Sequence, residues 1–359
     1  MSAFLGFGTA LPEHTIDGPA SVALLSEFWP HLRAASPEVV TRHVVAPVDW
    51  LLRPRSLGET MQVYAEHAPR LARLATCGAM AAAGVEPAAI DLVISVSCTG
   101  YLVPSLDVRL AAEIGLRPDV IRLPLTELGC SGGAAAIAAG HRHLAAFPGH
   151  RVLIVSVELP SLTFQRDDRS LDNLAASLVF GDGAVAAVMG PDTGDRLQVR
   201  GTAAHLVPQT AHALGFDLRD SGFHVVLDRR LPSLIGAELA VVVDGFRRRQ
   251  GIGRPRFYAV HAGGPRVFDA VETALELRDG ELESSRRVFR EVGNLSSASI
   301  LFTLAGLDGV SGDGLALAFG PGVTIELTHL HASPSRGVAD PGPYSKPGMR
   351  RGRSRKASS

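Results

Sequence analysis

The chain has 359 residues, 46% of them hydrophobic and 20% charged, with a formal net charge of −1. That length holds two domains or one large double domain with a substantial core, and the balanced charge removes any whole-molecule preference for nucleic acid. Three cysteines, Cys77, Cys98 and Cys130, neither form a disulfide framework nor stand at metal-ligand spacing, which fits a reducing cytoplasm. The N-terminus shows no basic segment followed by a long apolar core, and no run of about 18 apolar residues occurs, so neither export nor a membrane partner is expected.

In chain order, the pattern predicts a helix over 60–83, a strand over 91–100, a helix over 132–146 and strands over 151–159 and 177–190. A helix over 232–250, a strand over 257–264, a helix over 265–277 and a β-rich run over 315–330 follow. Continuous apolar runs suit strands buried on both faces, and their alternation with helices predicts layered α/β sheets. The segments VFGDGAV (179–185) and AFGPGVT (318–324) share the form Phe-Gly-x-Gly before a β-rich run. This echo divides the chain into two related halves, 1–190 and 195–330. The segment 333–359 carries seven Lys or Arg and one Asp with almost no core-forming side chains, and is expected to be a disordered basic tail.

Cys130 lies in LTELGCSGGAAAIAAGHRHLAAF, where a strand or loop turns into an alanine-rich helix. The free N–H groups and positive dipole of a helix start favour thiolate, which would bring the thiol pKa from about 8.5 toward neutrality. A free cysteine is otherwise a small buried hydrophobe. A thiolate handling acyl groups needs a proton partner and donors for an oxyanion or enolate. His261, at the end of the strand FYAV and before Ala-Gly-Gly-Pro, and Asn294, in EVGNLSSASILFTL before a serine-capped helix, are the candidates. Either could equally be an ordinary core or turn residue. The pairs His141/His143 and His329/His331 lack further ligands at metal spacing. Gly129-Cys130-Ser131-Gly132-Gly133 also satisfies G-x-S-x-G, so Ser131 with His261 and Asp228 or Asp244 is a hydrolase alternative.

LGCSGG around Cys130, HAGGP after His261, GNLSSA around Asn294 and the closing FGPGVTIE (319–326) together resemble the type III polyketide synthases, the chalcone-synthase-like enzymes. The resemblance implies a five-layered α/β/α/β/α thiolase fold and a cytoplasmic homodimeric acyltransferase, with the segment around Val103 near the partner's cavity. It implies that Cys130 takes an acyl group from an acyl-CoA starter. His261 would keep the thiolate ionised and, with Asn294, hold the malonyl-CoA thioester carbonyl during decarboxylation. The enolate would then attack the acyl thioester, and repeated condensation would precede cyclisation.

By the same resemblance Phe180 and Phe223 correspond to aromatic gatekeepers, Thr163 to a cavity-lining position, and Gly320, Pro321 and Gly322 to the cavity wall. Arg42 falls where basic residues stand at the coenzyme A tunnel mouth. VSCTGYLVPSL (96–106), HLVPQT (205–210) and LRDSGFHVVLDRRLP (218–232) are similar to the bacterial tetrahydroxynaphthalene synthases. Cys98 then matches a second cavity cysteine. Phe216 replaces a tyrosine linked to malonyl starters and Ala176 a cysteine, which opens the cavity to fatty or aromatic starters. No cofactor is implied, coenzyme A thioesters being substrates, and no phosphate loop for ATP or NAD is present. A ketoacyl-carrier-protein synthase III or a non-catalytic acyl-CoA-binding protein are the alternatives.

Overall fold

The structure, a computed structural model, describes residues 2–34, 37–192, 194 and 196–333. The first part of the chain supplies strands β1 (Ser2–Ala10), β2 (His14–Asp17), β3 (Thr41–Val44), β4 (Leu92–Val96), β5 (Ile121–Leu125), β6 (Val152–Glu158) and β7 (Gly183–Pro191). The second supplies β8 (Leu197–Leu206), β9 (Leu214–Arg219), β10 (Gly222–Leu227), β11 (Phe257–Val260), β12 (Gly312–Gly320) and β13 (Thr324–Ala332). Nine of these form one sheet in the order β11-β12-β13-β8-β1-β7-β6-β4-β5. β4 and β6 are buried at every position, because both faces of the sheet are covered.

The pairing repeats itself along the chain. β4 runs parallel to β6, which is antiparallel to β7, which is antiparallel to β1. Likewise β11 runs parallel to β12, β12 is antiparallel to β13, and β13 to β8. The two sets join through antiparallel pairing of β1 with β8.

Helices Gly132–Ala146 and Ala298–Ala305 pack against each other between strands of both sets. Their approach demands glycine: a Cβ on Gly133 would lie 2.2 Å from the Ser297 carbonyl oxygen, and one on Gly132 would lie 2.7 Å from a Val96 methyl. Helix Leu57–Ala83 covers the outer face of β1 and β7. A Ser56–Glu59 capping box starts it, and left-handed Gly84 at φ 64° ends it. It lays Ala68, Ala72, Ala75 and Ala79 on the sheet. Helix Leu231–Gln250 covers β8 and β13 on the other side and packs against helix Pro265–Ala274.

Two expected strands resolve differently. The segment 177–190 begins inside helix Leu171–Val179, where Ser170 caps the Asn173 N–H and Leu174 is buried; only Gly183 onward is strand. The run 315–330 is a hairpin, because Gly320-Pro321-Gly322 reverses the chain with Gly322 at φ 65°. The basic tail, from residue 334 on, lies outside the described residues.

Candidate active site

Cys130 sits on a single 3-10 turn, Gly129–Ser131, immediately before helix Gly132–Ala146. Gly129 adopts φ 52°, and a Cβ there would meet the Pro321 ring at 2.5 Å, so the GPG turn presses directly on the turn that carries the nucleophile candidate. A Cβ on Gly320 would fall 2.8 Å from the Leu128 carbonyl oxygen. The Cys130 sulfur lies 3.5 Å from the Ser296 hydroxyl. Burial pushes the thiol up to about 12, opposite to the drop expected from a helix start. The loss of water around the sulfur outweighs the dipole, and the helix itself begins only two residues later.

Asn294 stands beside Phe180 in an isolated parallel bridge: its N–H donates to the Val179 carbonyl at 2.7 Å, and its carbonyl accepts from Gly181 N–H at 3.1 Å. Gly293 at φ 78° allows this, since a Cβ there would be 2.6 Å from the Val179 oxygen. The side-chain Oδ1 accepts from Ser296 N–H at 2.8 Å and the Ser299 hydroxyl at 3.3 Å. The orientation of the amide is therefore set by its neighbours. Nδ2, with no hydrogen bond inside the described residues, is the end left to donate. Ser297 occupies the expected helix-capping place but sends its hydroxyl to Glu158 instead.

His261 follows β11, with its N–H on the Leu317 carbonyl at 2.8 Å, which ties it to the strand leading into the GPG turn. Its ring is buried, and Nδ1 has no hydrogen-bond partner. Burial brings the imidazole down to about 4. No hydrogen bond links His261 to Cys130 among the described residues. Cys130, Ser296 and Asn294 are joined directly, and His261 reaches the same turn through β12.

Two residues that the sequence reading passed over organise this region. Ser296, held at φ 48°, places one hydroxyl 3.2 Å from the Cys98 sulfur and 3.5 Å from that of Cys130. Glu158, fully buried at the end of β6, accepts from the N–H groups of Cys98 and Thr99 and the hydroxyls of Thr99 and Ser297. Burial raises its pKa while those donors oppose the rise. A lone acid closing the apolar run LIVSVE was the available signal.

The remaining candidates lie in and around two hollows whose walls do not include Cys130, His261 or Asn294. Phe180 and Thr163 line a small, mostly apolar cavity of about 70 Å³ with Phe164 and Ala176, and the Thr163 hydroxyl turns to the Pro160 carbonyl. Phe223 and Phe216 lie on the same face of the β9–β10 hairpin as an edge-to-face pair, centroids 5.6 Å apart. Arg42 lines the cavity of Phe180 and Thr163 from within and is not exposed at a mouth. It is 7% exposed, and its guanidinium donates to the Ser177 and Phe180 carbonyls and the Ser21 hydroxyl. Burial lowers its pKa to about 10. A groove of about 670 Å³ shares Phe164 with the cavity and carries both signs of charge: exposed Arg53, Arg166, Arg169 and Arg219 with half-buried Arg55, and Asp167, Asp168, Asp172 and Asp217, the last paired with Arg219 at 3.2 Å.

The hydrolase alternative fails on geometry. Ser131 is 1% exposed, and its hydroxyl donates to the Leu128 carbonyl at 2.8 Å. Asp228 and Asp244 are engaged by Arg230 and Arg247 at the surface. Of the paired histidines, His141 bonds the Ser2 hydroxyl at 2.8 Å, His143 bonds His150 at 3.0 Å, and His329 and His331 share one Asp313 oxygen.

The repeated pairing and the two buried central helices, with a cysteine leading one and an asparagine before the other, define a condensing enzyme of the thiolase fold, layered α/β/α/β/α. The family models described as chalcone and stilbene synthases, N-terminal domain and C-terminal domain, match residues 51–193 and 198–334. The chain belongs to this family, the type III polyketide synthases. It is 41% identical over 304 residues to a 1,3,6,8-tetrahydroxynaphthalene synthase of Streptomyces peucetius, covering 81% of this chain and 80% of that one. It is 32% identical to a phloroglucinol synthase of Pseudomonas fluorescens, covering 82% and 86%. The crystal structure of the tetrahydroxynaphthalene synthase of Streptomyces coelicolor superposes with a TM-score of 0.87 at 30% identity, covering 93% of this chain and 100% of that one. The protein is thus an acyltransferase-type polyketide synthase.

Proposed function

We propose that this synthase loads an acyl group from a coenzyme A starter onto Cys130 and extends it by repeated decarboxylative condensation with malonyl-CoA before cyclisation. The observation that carries this is the Asn294 amide: its oxygen is held by Ser296 and Ser299, so a free N–H donor remains two residues from the hydroxyl that touches the Cys130 sulfur. A thioester oxygen gathering negative charge as CO2 leaves needs such a fixed donor, worth about 3–4 kcal/mol in a dry site. His261 takes the Cys130 proton. Burial opposes each charge singly, and the attraction of the resulting opposite charges offsets part of that cost. His261 with Asn294 then holds the malonyl thioester carbonyl.

The groove, with five arginines against the carboxylates of Asp167, Asp168, Asp172 and Asp217, keeps cations to spare for the coenzyme A phosphates, with Phe164 leading inward to Phe180. Cys98, on the same hydroxyl as Cys130, lies beside the growing chain, and the Phe216–Phe223 pair offers an apolar surface that favours a fatty or aromatic starter. No cofactor is needed, since coenzyme A thioesters bring the chemistry. Incubation with malonyl-CoA and a panel of acyl-CoAs, followed by mass spectrometry, is expected to show an acyl adduct on Cys130, CO2 and a cyclised product. Absence of both adduct and CO2 would end this reading.

A cytoplasmic homodimer completes the proposal. β5 is an edge strand with Ile121 48% and Leu123 37% exposed and Arg122 between them paired with Asp107, a surface that a second copy would cover. Tyr101 and Val103, 63% and 76% exposed, project from the loop after β4 and supply the reach into the partner. Light scattering should give twice the chain mass, and Leu123→Glu should shift it toward one; a monomeric wild type refutes the dimer.

A further inference from the structure

The arginine groove contains a side-chain constellation that the condensation does not use. Asp220 and Ser221 form the two-residue turn between β9 and β10, so Ser221 stands exposed at the tip of a hairpin. Its Oγ is 2.8 Å from His224 Nε2. His224 Nδ1 is buried, has no hydrogen-bond partner, and lies 3.7 Å from Asp168 Oδ2. Those side chains of His224 and Asp168 are 12% and 24% exposed, so the two less mobile members sit below the serine. Ser221, His224 and Asp168 all line the groove with Arg53 and Arg219.

The arrangement decides the tautomer. Asp168 is the carboxylate beside Nδ1, so the ring proton belongs there, and Nε2 is free to accept from the serine hydroxyl. Nucleophile, base and orienting carboxylate in this sequence of contacts are the signature of an activated hydroxyl. The 3.7 Å separation is longer than a hydrogen bond, and such contacts tighten when a ligand is bound. Nothing in this arrangement involves Cys130.

We propose that Ser221, His224 and Asp168 form a second, serine-based acyl-transfer site that hydrolyses carboxylic esters or thioesters bearing an anionic group. His224 Nε2 accepts the Ser221 proton as Oγ bonds to the carbonyl carbon. The tetrahedral oxyanion collapses, the leaving alkoxide or thiolate takes that proton, and an acyl-serine remains. Water, deprotonated by Nε2, then releases the acid and returns the proton to Oγ. Arg53, exposed in the same groove, supplies a cation for the anionic group, while Arg219 is engaged by Asp217 at 3.2 Å.

The test uses the full chain carrying Cys130→Ala, which removes acylation at the condensing cysteine and keeps the two activities separable. An alkyl fluorophosphonate should label this protein at Ser221, located by peptide mass spectrometry, and the mono-p-nitrophenyl ester of succinate, which bears a carboxylate, should be hydrolysed. Ser221→Ala should abolish the label and lower hydrolysis about 10²-fold or more, with a similar loss in His224→Gln. Asp168→Asn should lower the rate and shift its pH profile, because the ring loses the carboxylate that fixes its tautomer, while circular dichroism stays that of the parent. Labelling elsewhere, no labelling, or hydrolysis that survives Ser221→Ala in a folded protein overturns the proposal.

Discussion

Asn294→Asp separates the chemical role of this side chain from its structural one. Oδ1 receives Ser296 N–H at 2.8 Å and the Ser299 hydroxyl at 3.3 Å, and an aspartate keeps that acceptor. The main-chain bridge to Val179 and Gly181 is indifferent to the substitution. What changes is the outward end, where a donor becomes a carboxylate oxygen facing a developing negative charge. Loss of one such donor costs about 3–4 kcal/mol, or about 10²–10³ in rate. Asn294→Ala loses the donor as well but also orphans the two groups that Oδ1 serves, a stability cost of about 1–3 kcal/mol. Release of labelled CO2 from malonyl-CoA, measured beside thermal unfolding, should therefore show both variants slow and the alanine variant less stable as well. An aspartate variant that decarboxylates within about threefold of wild type, or an alanine variant as stable as wild type, refutes the assignment of the two ends of the amide.

Other residues give independent tests. Gly133→Ala should lower stability by about 1–3 kcal/mol or more in thermal unfolding, because its methyl meets the Ser297 carbonyl at 2.2 Å in the packing of two buried helices. Glu158→Gln should cost about 2 kcal/mol in urea unfolding, since an amide nitrogen turned toward the Cys98, Thr99 and Ser297 donors leaves at least one unpaired. Glu326 is 7% exposed, and burial pushes its carboxyl up to about 7. The native state therefore binds a proton that the unfolded state releases nearer 4.5. Stability should fall as pH rises between those values, by at most about 3 kcal/mol. In Glu326→Gln that component of the pH slope should vanish in denaturant midpoints taken across the range, and an unchanged slope refutes the raised pKa.

The sequence by itself determined the layered α/β class and the residues that mark the family. β4 and β6 were legible because strands covered on both faces must be apolar throughout, and helices 60–83 and 132–146 because their small-residue patterning survives any partner. The Cys130, His261, Asn294 and GPG motifs were readable as local strings. Tertiary structure alone decided what surrounds them. A periodicity cannot reveal that Arg42 is enclosed by Ser21, Ser177 and Phe180, since those partners come from distant segments. It cannot show that one Ser296 hydroxyl lies between two cysteine sulfurs 166 and 198 residues away in the chain. The ionisation of Cys130 is hidden from the sequence for the same reason: a helix start is a local feature, whereas the desolvation that raises its thiol to about 12 is imposed by the packed molecule around it.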